Sequence, residues 1–96
     1  MRRPSFIERV LTAKERAICK TASSVAGRWA AKEAVAKAAG IELTWQEVEI
    51  LPDELGAPVV SINSSGFDAA QYRVHVSITH ERNYAAAVAV VENIAL

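Results

Sequence analysis

The apolar positions of this chain change period once, dividing it into a helical first part and an extended remainder. Between Ser24 and Ala39, the residues Ala30, Ala31, Ala34, Val35 and Ala38 recur at helical spacing and share one arc. Arg28, Lys32, Glu33 and Lys37 fall on the opposite arc, with Trp29 among them, the division expected of a helix with one wet face. Gly40 stands where a left-handed glycine ends a helix. Upstream, Ser5 to Leu11 predicts a short helix or turn, and Thr12 with Glu15 has capping-box spacing for a helix reaching about Ala22. Ser23 and Ser24 offer a break and the N-cap of the next helix.

After Gly40 the period falls to two. Val48 and Ile50 alternate with Glu47 and Glu49, predicting a half-buried strand. Gly56-Ala57-Pro58 marks a turn, Val59 to Ile62 a short strand and Asn63 to Gly66 a loop; Phe67 to Tyr72 fits either state. Val74, Val76 and Ile78 then alternate with His75, Ser77 and Thr79, residues 80–83 turn, and Tyr84 to Val91 returns as an alanine- and valine-rich strand. The last two strands predict an antiparallel hairpin with a loop of about four residues. Helices first and antiparallel strands afterwards give an α+β fold of one domain, with N-terminal helices packed on a small antiparallel sheet.

Composition narrows the picture. At 96 residues the chain is short enough that oligomerisation is a plausible source of extra stability. With 51% hydrophobic and 23% charged residues it is globular rather than disordered. The formal net charge is zero, which points to neither nucleic acid nor a membrane surface. Nine of the eleven basic residues nevertheless lie in residues 1–37, among them Arg2, Arg3, Arg9, Lys14, Arg16 and Lys20, opposed there only by Glu8, Glu15 and Glu33. Such a stretch suits either an anionic partner or a solvated surface. Cys19 is the single cysteine, which excludes an internal disulfide and fits a reducing compartment. It falls in the expected helix, where it reads as a packing residue rather than a nucleophile. No run is apolar enough for a transmembrane helix and no signal peptide is evident, so a cytoplasmic location is expected.

Two segments carry candidate chemistry. On the helix, Arg28, Lys32 and Lys37 surround Glu33. One reading is a solvated face with a Glu33–Lys37 pair contributing about 0.2–0.5 kcal/mol. The other is a site for polyphosphate and metal, in which the cations offset phosphate charge and the carboxylate holds Mg²⁺. At the strand end, Ser77, Thr79 and His80 offer donors to phosphate, and the histidine could accept a proton near neutral pH. No Ser/His/Asp nucleophile pattern, CxxC pair, Walker loop or GxGxxG run is present.

These segments resemble those of a known family. Phe6-Ile7-Glu8-Arg9-Val10-Leu11-Thr12, with Glu15 after it, is similar to the F-x-x-R-x-L-T-x-x-E segment of holo-acyl-carrier-protein synthases, which are 4'-phosphopantetheinyl transferases. Ala26-Gly27-Arg28-Trp29-Ala30-Ala31-Lys32-Glu33-Ala34, followed by Lys37-Ala38, resembles their R-[FW]-A-A-K-E-A-x-x-K-A signature helix. Glu49-Ile50, Gly56-x-Pro58, Ser77-Ile78-Thr79-His80 and Tyr84-Ala85-Ala86-Ala87 follow in family order, so the likeness runs from about residue 5 to residue 91. The signature helix is specific, the S-[IL]-[ST]-H strand end moderately so, and G-x-P alone is weak.

The resemblance implies transfer of 4'-phosphopantetheine from coenzyme A to a serine of apo acyl carrier protein, releasing adenosine 3',5'-bisphosphate. Glu33 would be a Mg²⁺ ligand and candidate base, directly or through a metal-bound water. Arg28, Lys32 and Lys37 would lie near coenzyme A phosphates or organise the site, His80 and Ser77 would sit on its nucleotide side, and Gly56 and Pro58 near the adenine. Arg9, Lys14 and Arg16 would meet the acidic carrier protein. The family is usually a homotrimer with sites between subunits. Its members begin with a strand containing G-x-D, whose aspartate is a further Mg²⁺ ligand, and no aspartate precedes Asp53 here. A longer reading frame, a strand from a neighbouring chain, or a divergent module that binds coenzyme A or carrier protein without efficient catalysis would each account for that departure.

Overall fold

The structure, a computed structural model, describes residues 5–95; Arg2 and Arg3 of the basic stretch lie outside it. Helices α1 (Phe6–Val10), α2 (Ala13–Ile18) and α3 (Ala22–Ala39) precede a 3₁₀ turn at Trp45–Glu47. Four strands follow: β1 (Val48–Pro52), β2 (Pro58–Ile62), β3 (Tyr72–His80) and β4 (Ala85–Asn93). The α+β class is as expected, but the strands form two separate antiparallel hairpins, β1–β2 and β3–β4, rather than one small sheet. Ile50 stands opposite Val60 in the first, and Ser77 opposite Val88 in the second. The β3–β4 turn closes where the Glu81 N–H donates to the Tyr84 carbonyl at 2.8 Å.

All three helices start on a hydroxyl cap. Ser5 and Thr12 each make a reciprocal capping box, with Glu8 and Glu15 respectively. The cap of α3 is Thr21, not Ser24: the Ser24 N–H donates to the Thr21 hydroxyl at 3.1 Å, and the Thr21 N–H donates to the Ser24 hydroxyl at 3.1 Å. Because Thr21 takes the cap, the chain must already be extended there, and α2 ends at Ile18 rather than near Ala22. Cys19 is therefore the extended C-cap of α2 and not a helical residue. Gly40 closes α3 in the left-handed conformation at φ 70°, as expected. Phe67 to Gln71 forms turns, and Tyr72 opens β3.

The core lies between α3 and the strands. Ala31 and Val35 of α3 are buried with Val48 and Ile50 of β1. Val74, Val76 and Ile78 of β3, with Ala87 and Ala89 of β4, pack against them. These are the inward positions that the period of two predicts. Alanines on both α3 and β4 leave little side chain between helix and sheet, so a bulky core is not needed.

The wet arc of α3 is not uniformly wet. Lys37 is exposed, but Arg28 is half-buried and Lys32 is wholly buried. A buried ammonium is tolerated only when it is paired and each donor is satisfied. All three donors of Lys32 are used: Nζ lies 2.6 Å from Glu15 Oε1 and donates to the Val10 carbonyl at 2.7 Å and the Trp45 carbonyl at 2.8 Å. Glu15 is equally committed, accepting from the Thr12 N–H and from the Ile50 N–H, each at 2.8 Å. Burial pushes the Lys32 pKa down, opposed by its hydrogen bond to Glu15 and by that carboxylate's charge.

Removing either partner strands the other without water. Lys32→Met or Glu15→Gln alone should therefore cost about 3–5 kcal/mol in denaturant unfolding. The double variant Glu15→Gln/Lys32→Met should lose less than the sum of these singles. Single variants within 1 kcal/mol of the unsubstituted protein, roughly the level of surface substitutions, would contradict this account.

Candidate functional site

A cleft of about 180 Å³ opens between the N-terminal half of α3 and the tips of both hairpins, lined by Arg28, Pro52, Gly56, Pro58, Ile78 and His80. Three remote segments supply its walls. Arg28 comes from the second turn of α3; Pro52, Gly56 and Pro58 from the β1–β2 hairpin, where Gly56 takes φ 89°; and Ile78 and His80 from the end of β3. Gly56 is held because Asp53 accepts from the N–H groups of Leu55 and Ala57, both at 2.9 Å. Arg28, Gly56, Pro58 and His80, all singled out in the sequence, thus share one place. The Nε of Arg28 is buried and meets no hydrogen-bond acceptor among the described residues. Such a donor is costly unless something brings it an acceptor.

The other candidates lie elsewhere. Lys32 is beneath α3, its ammonium saturated by protein groups. Ser77 points away from α3, on the outer face of β3 with Arg73, His75 and Thr79. At about 100° per residue, Glu33 stands roughly 140° around the helix from Arg28, and Lys37 roughly 180°. Arg28 therefore faces the cleft side while Glu33 and Lys37 look outward, a division the single wet arc had hidden. The Glu33–Lys37 ion pair of the solvated reading is not formed.

The Glu33 carboxylate is partly exposed and has no hydrogen-bond or ion-pair partner among the described residues. No three His, Cys, Asp or Glu side chains gather into a metal cage among those residues. Mg²⁺ ordinarily takes only one or two protein carboxylates beside phosphate and water oxygens. The partly exposed, unpartnered carboxylate of Glu33 has the chemistry that such a role requires.

One feature was not evident in the sequence. Phe6 and Trp29, 49% and 39% exposed, meet edge to face at 6.1 Å between ring centroids. With Ile7, Cys19, Val25 and Ala26 they line an apolar cleft of about 600 Å³. The helical spacing of Trp29 among charged residues was the available signal, but the contact from α1 depends on the tertiary fold.

Comparison with known proteins places these residues in context. The 4'-phosphopantetheinyl transferase superfamily matches residues 1–89. A holo-(acyl-carrier-protein) synthase of Chlorobaculum tepidum is 43% identical over 96 residues, covering 92% of this chain and 80% of the relative. That of Halalkalibacterium halodurans is 39% identical, covering 95% and 80%. Among solved structures, the Helicobacter pylori synthase in complex with coenzyme A superposes with TM-score 0.80 at 33% identity, covering 91% of this chain and 81% of that one. The Bacillus anthracis synthase, in complex with CoA (3',5'-ADP), gives TM-score 0.77 at 37% identity, covering 92% and 80%.

Burial pushes the Cys19 thiol above its ordinary value, outweighing the lowering by Arg28, so it is protonated and weakly nucleophilic near neutrality. Alkylation by iodoacetamide at pH 7.5 should be slower than for a free cysteine, because burial lowers the thiolate fraction. Alkylation as fast as the free thiol would contradict that environment.

Proposed function

The chain belongs to the 4'-phosphopantetheinyl transferase superfamily, and from that premise we propose that it transfers 4'-phosphopantetheine from coenzyme A to a serine of apo acyl carrier protein. The observation that carries this reading is the convergence of Arg28, Gly56, Pro58 and His80 on one cleft. A phosphate in the cleft would meet the Arg28 guanidinium there, and an arginine fork suits phosphate geometry. The coenzyme A complexes of the similar synthases support coenzyme A as the occupant.

In the reaction, the serine oxygen bonds to the pantetheine-side phosphorus while that phosphorus releases the diphosphate's bridging oxygen. Adenosine 3',5'-bisphosphate leaves, and the serine proton must be accepted. Arg28 and His80 would bind the nucleotide side, between the walls formed by Gly56 and Pro58. Lys37 would offset phosphate charge, and Glu33 would hold Mg²⁺ or accept the proton. When bound, Mg²⁺ would neutralise charge on the diphosphate and its leaving oxygen. Lys32 would act from beneath, fixing the helix that carries these groups rather than touching phosphate. Ser77, on the outer sheet face, has no part in the cleft on this reading. In-line positioning and charge stabilisation would supply most of the acceleration.

Glu33 and Lys37 face away from the Arg28–His80 cleft within one chain. A homotrimer with sites between subunits would let one copy's outward face meet another's cleft, and exposed Val88 and Val90 on β4 support such association. For the carrier protein we favour the exposed Phe6, Ile7 and Trp29 with Arg9 and Lys14 nearby in sequence; Arg16 is partly engaged, donating to the Leu11 carbonyl at 2.8 Å. This activity arms carriers for fatty acid synthesis. No helix among the described residues is long and apolar enough to cross a membrane, and the lone cysteine supports a cytoplasmic setting.

Incubation with apo carrier protein, coenzyme A and Mg²⁺ should add one phosphopantetheine mass to the carrier. Glu33→Gln should reduce the transfer rate at least 100-fold with an unchanged melting temperature, as expected for loss of a transition-state charge contact. Coenzyme A binding without a mass increment would favour the binding-module alternative, and undiminished turnover in Glu33→Gln would remove that residue from the site.

A further inference from the structure

We propose that Gly27 is a positioning residue for His80, its missing side chain making the seat on which the imidazole rests beside Arg28. This rests on the reading of the Arg28–His80 cleft as the coenzyme A nucleotide site. Gly27 is buried inside α3, five residues past its start and so beyond its first turn. Glycine in a helix interior is less favourable than alanine, so its presence there calls for a local cause. That cause is a close approach: a Cβ on Gly27 would lie 3.0 Å from His80 Cδ2 and 3.1 Å from Ile78 Cγ2. Nothing comparable surrounds Gly40 or Gly56, where a Cβ would meet open space and the positive φ explains the glycine.

The two neighbours differ in their freedom to yield. Ile78 packs against the core from the inward face of β3. His80 is exposed at the last position of that strand, where its ring can swing. An added methyl at Gly27 would thus displace mainly the imidazole. His80 and Arg28 line the same small cleft, and Arg28 directly follows Gly27 in the helix. A ring pushed off α3 would enter the space that the coenzyme needs. The helix backbone at Gly27 therefore sets both the width of the cleft and the height at which His80 meets its ligand.

Coenzyme A binding by calorimetry in Gly27→Ala, His80→Ala and the double variant tests this. Gly27→Ala should weaken coenzyme A binding about 5- to 20-fold, within what sub-ångström misplacement can cost, while kcat at saturating coenzyme A changes far less. In the His80→Ala background the same substitution should have no further effect, the non-additivity of groups acting as one unit. The imidazole resonances of His80 in the free protein should also shift in Gly27→Ala. An unchanged dissociation constant with unmoved His80 resonances would overturn the proposal, as would an equal loss in the His80→Ala background. If the unsubstituted protein binds no coenzyme A, the ligand reading fails instead, and the His80 resonances still decide whether Gly27 positions the ring.

Discussion

An ammonium with no water around it must be met by acceptors on every side, and meeting that requirement for Lys32 ties this small fold together. Its three donors reach Glu15 in α2, the carbonyl of Val10 at the end of α1, and the carbonyl of Trp45 before β1. Glu15 carries the chain of contacts onward to the Ile50 N–H in β1. Three helices and a hairpin are thereby fixed by one pair of charges and the backbone groups that solvate it. Apolar residues of equal volume could fill the space, but would not specify which carbonyls face one another.

The site inherits its layout from that constraint. With Lys32 drawn inward, α3 cannot roll, so Arg28 is held toward the tips of the hairpins while Glu33 and Lys37 look outward. Gly27, a neighbour of Arg28, then lies against the end of β3 and seats His80. One helix thus offers chemistry on two sides, an arginine in the cleft and an outward carboxylate. Their separation is the physical reason to expect a second copy of the chain at the site.

Local signals in the sequence were legible. The capping boxes at Thr12 and the stop at Gly40 depend on residues within one turn, and the alternation of Val74, Val76 and Ile78 depends only on strand period. Cap choice between Thr21 and Ser24 was harder, because adjacent hydroxyl residues can each serve and a three-residue shift shortens the preceding helix. The burial of Lys32 was hidden for a different reason: residue type places it on a wet arc, and its cover comes from α1, α2 and the Trp45 turn. The cleft was legible in composition but not in geometry. Motif likeness singled out Arg28, Gly56, Pro58 and His80, whereas only the packing of hairpin tips on α3 brings them together, leaves Ser77 outside and orphans the Arg28 Nε.

The Arg28 side chain offers the most direct test of the central claim, that the Arg28–His80 cleft receives a coenzyme A phosphate. The Arg28 Nε–Hε pair gives its own resonance in a ¹⁵N–¹H spectrum, and coenzyme A can be titrated against it. A saturable shift of that resonance, following the binding isotherm, is the result predicted when a phosphate binds the guanidinium that lines the cleft. Coenzyme A binding that leaves this resonance unmoved, while shifting groups elsewhere, would contradict it.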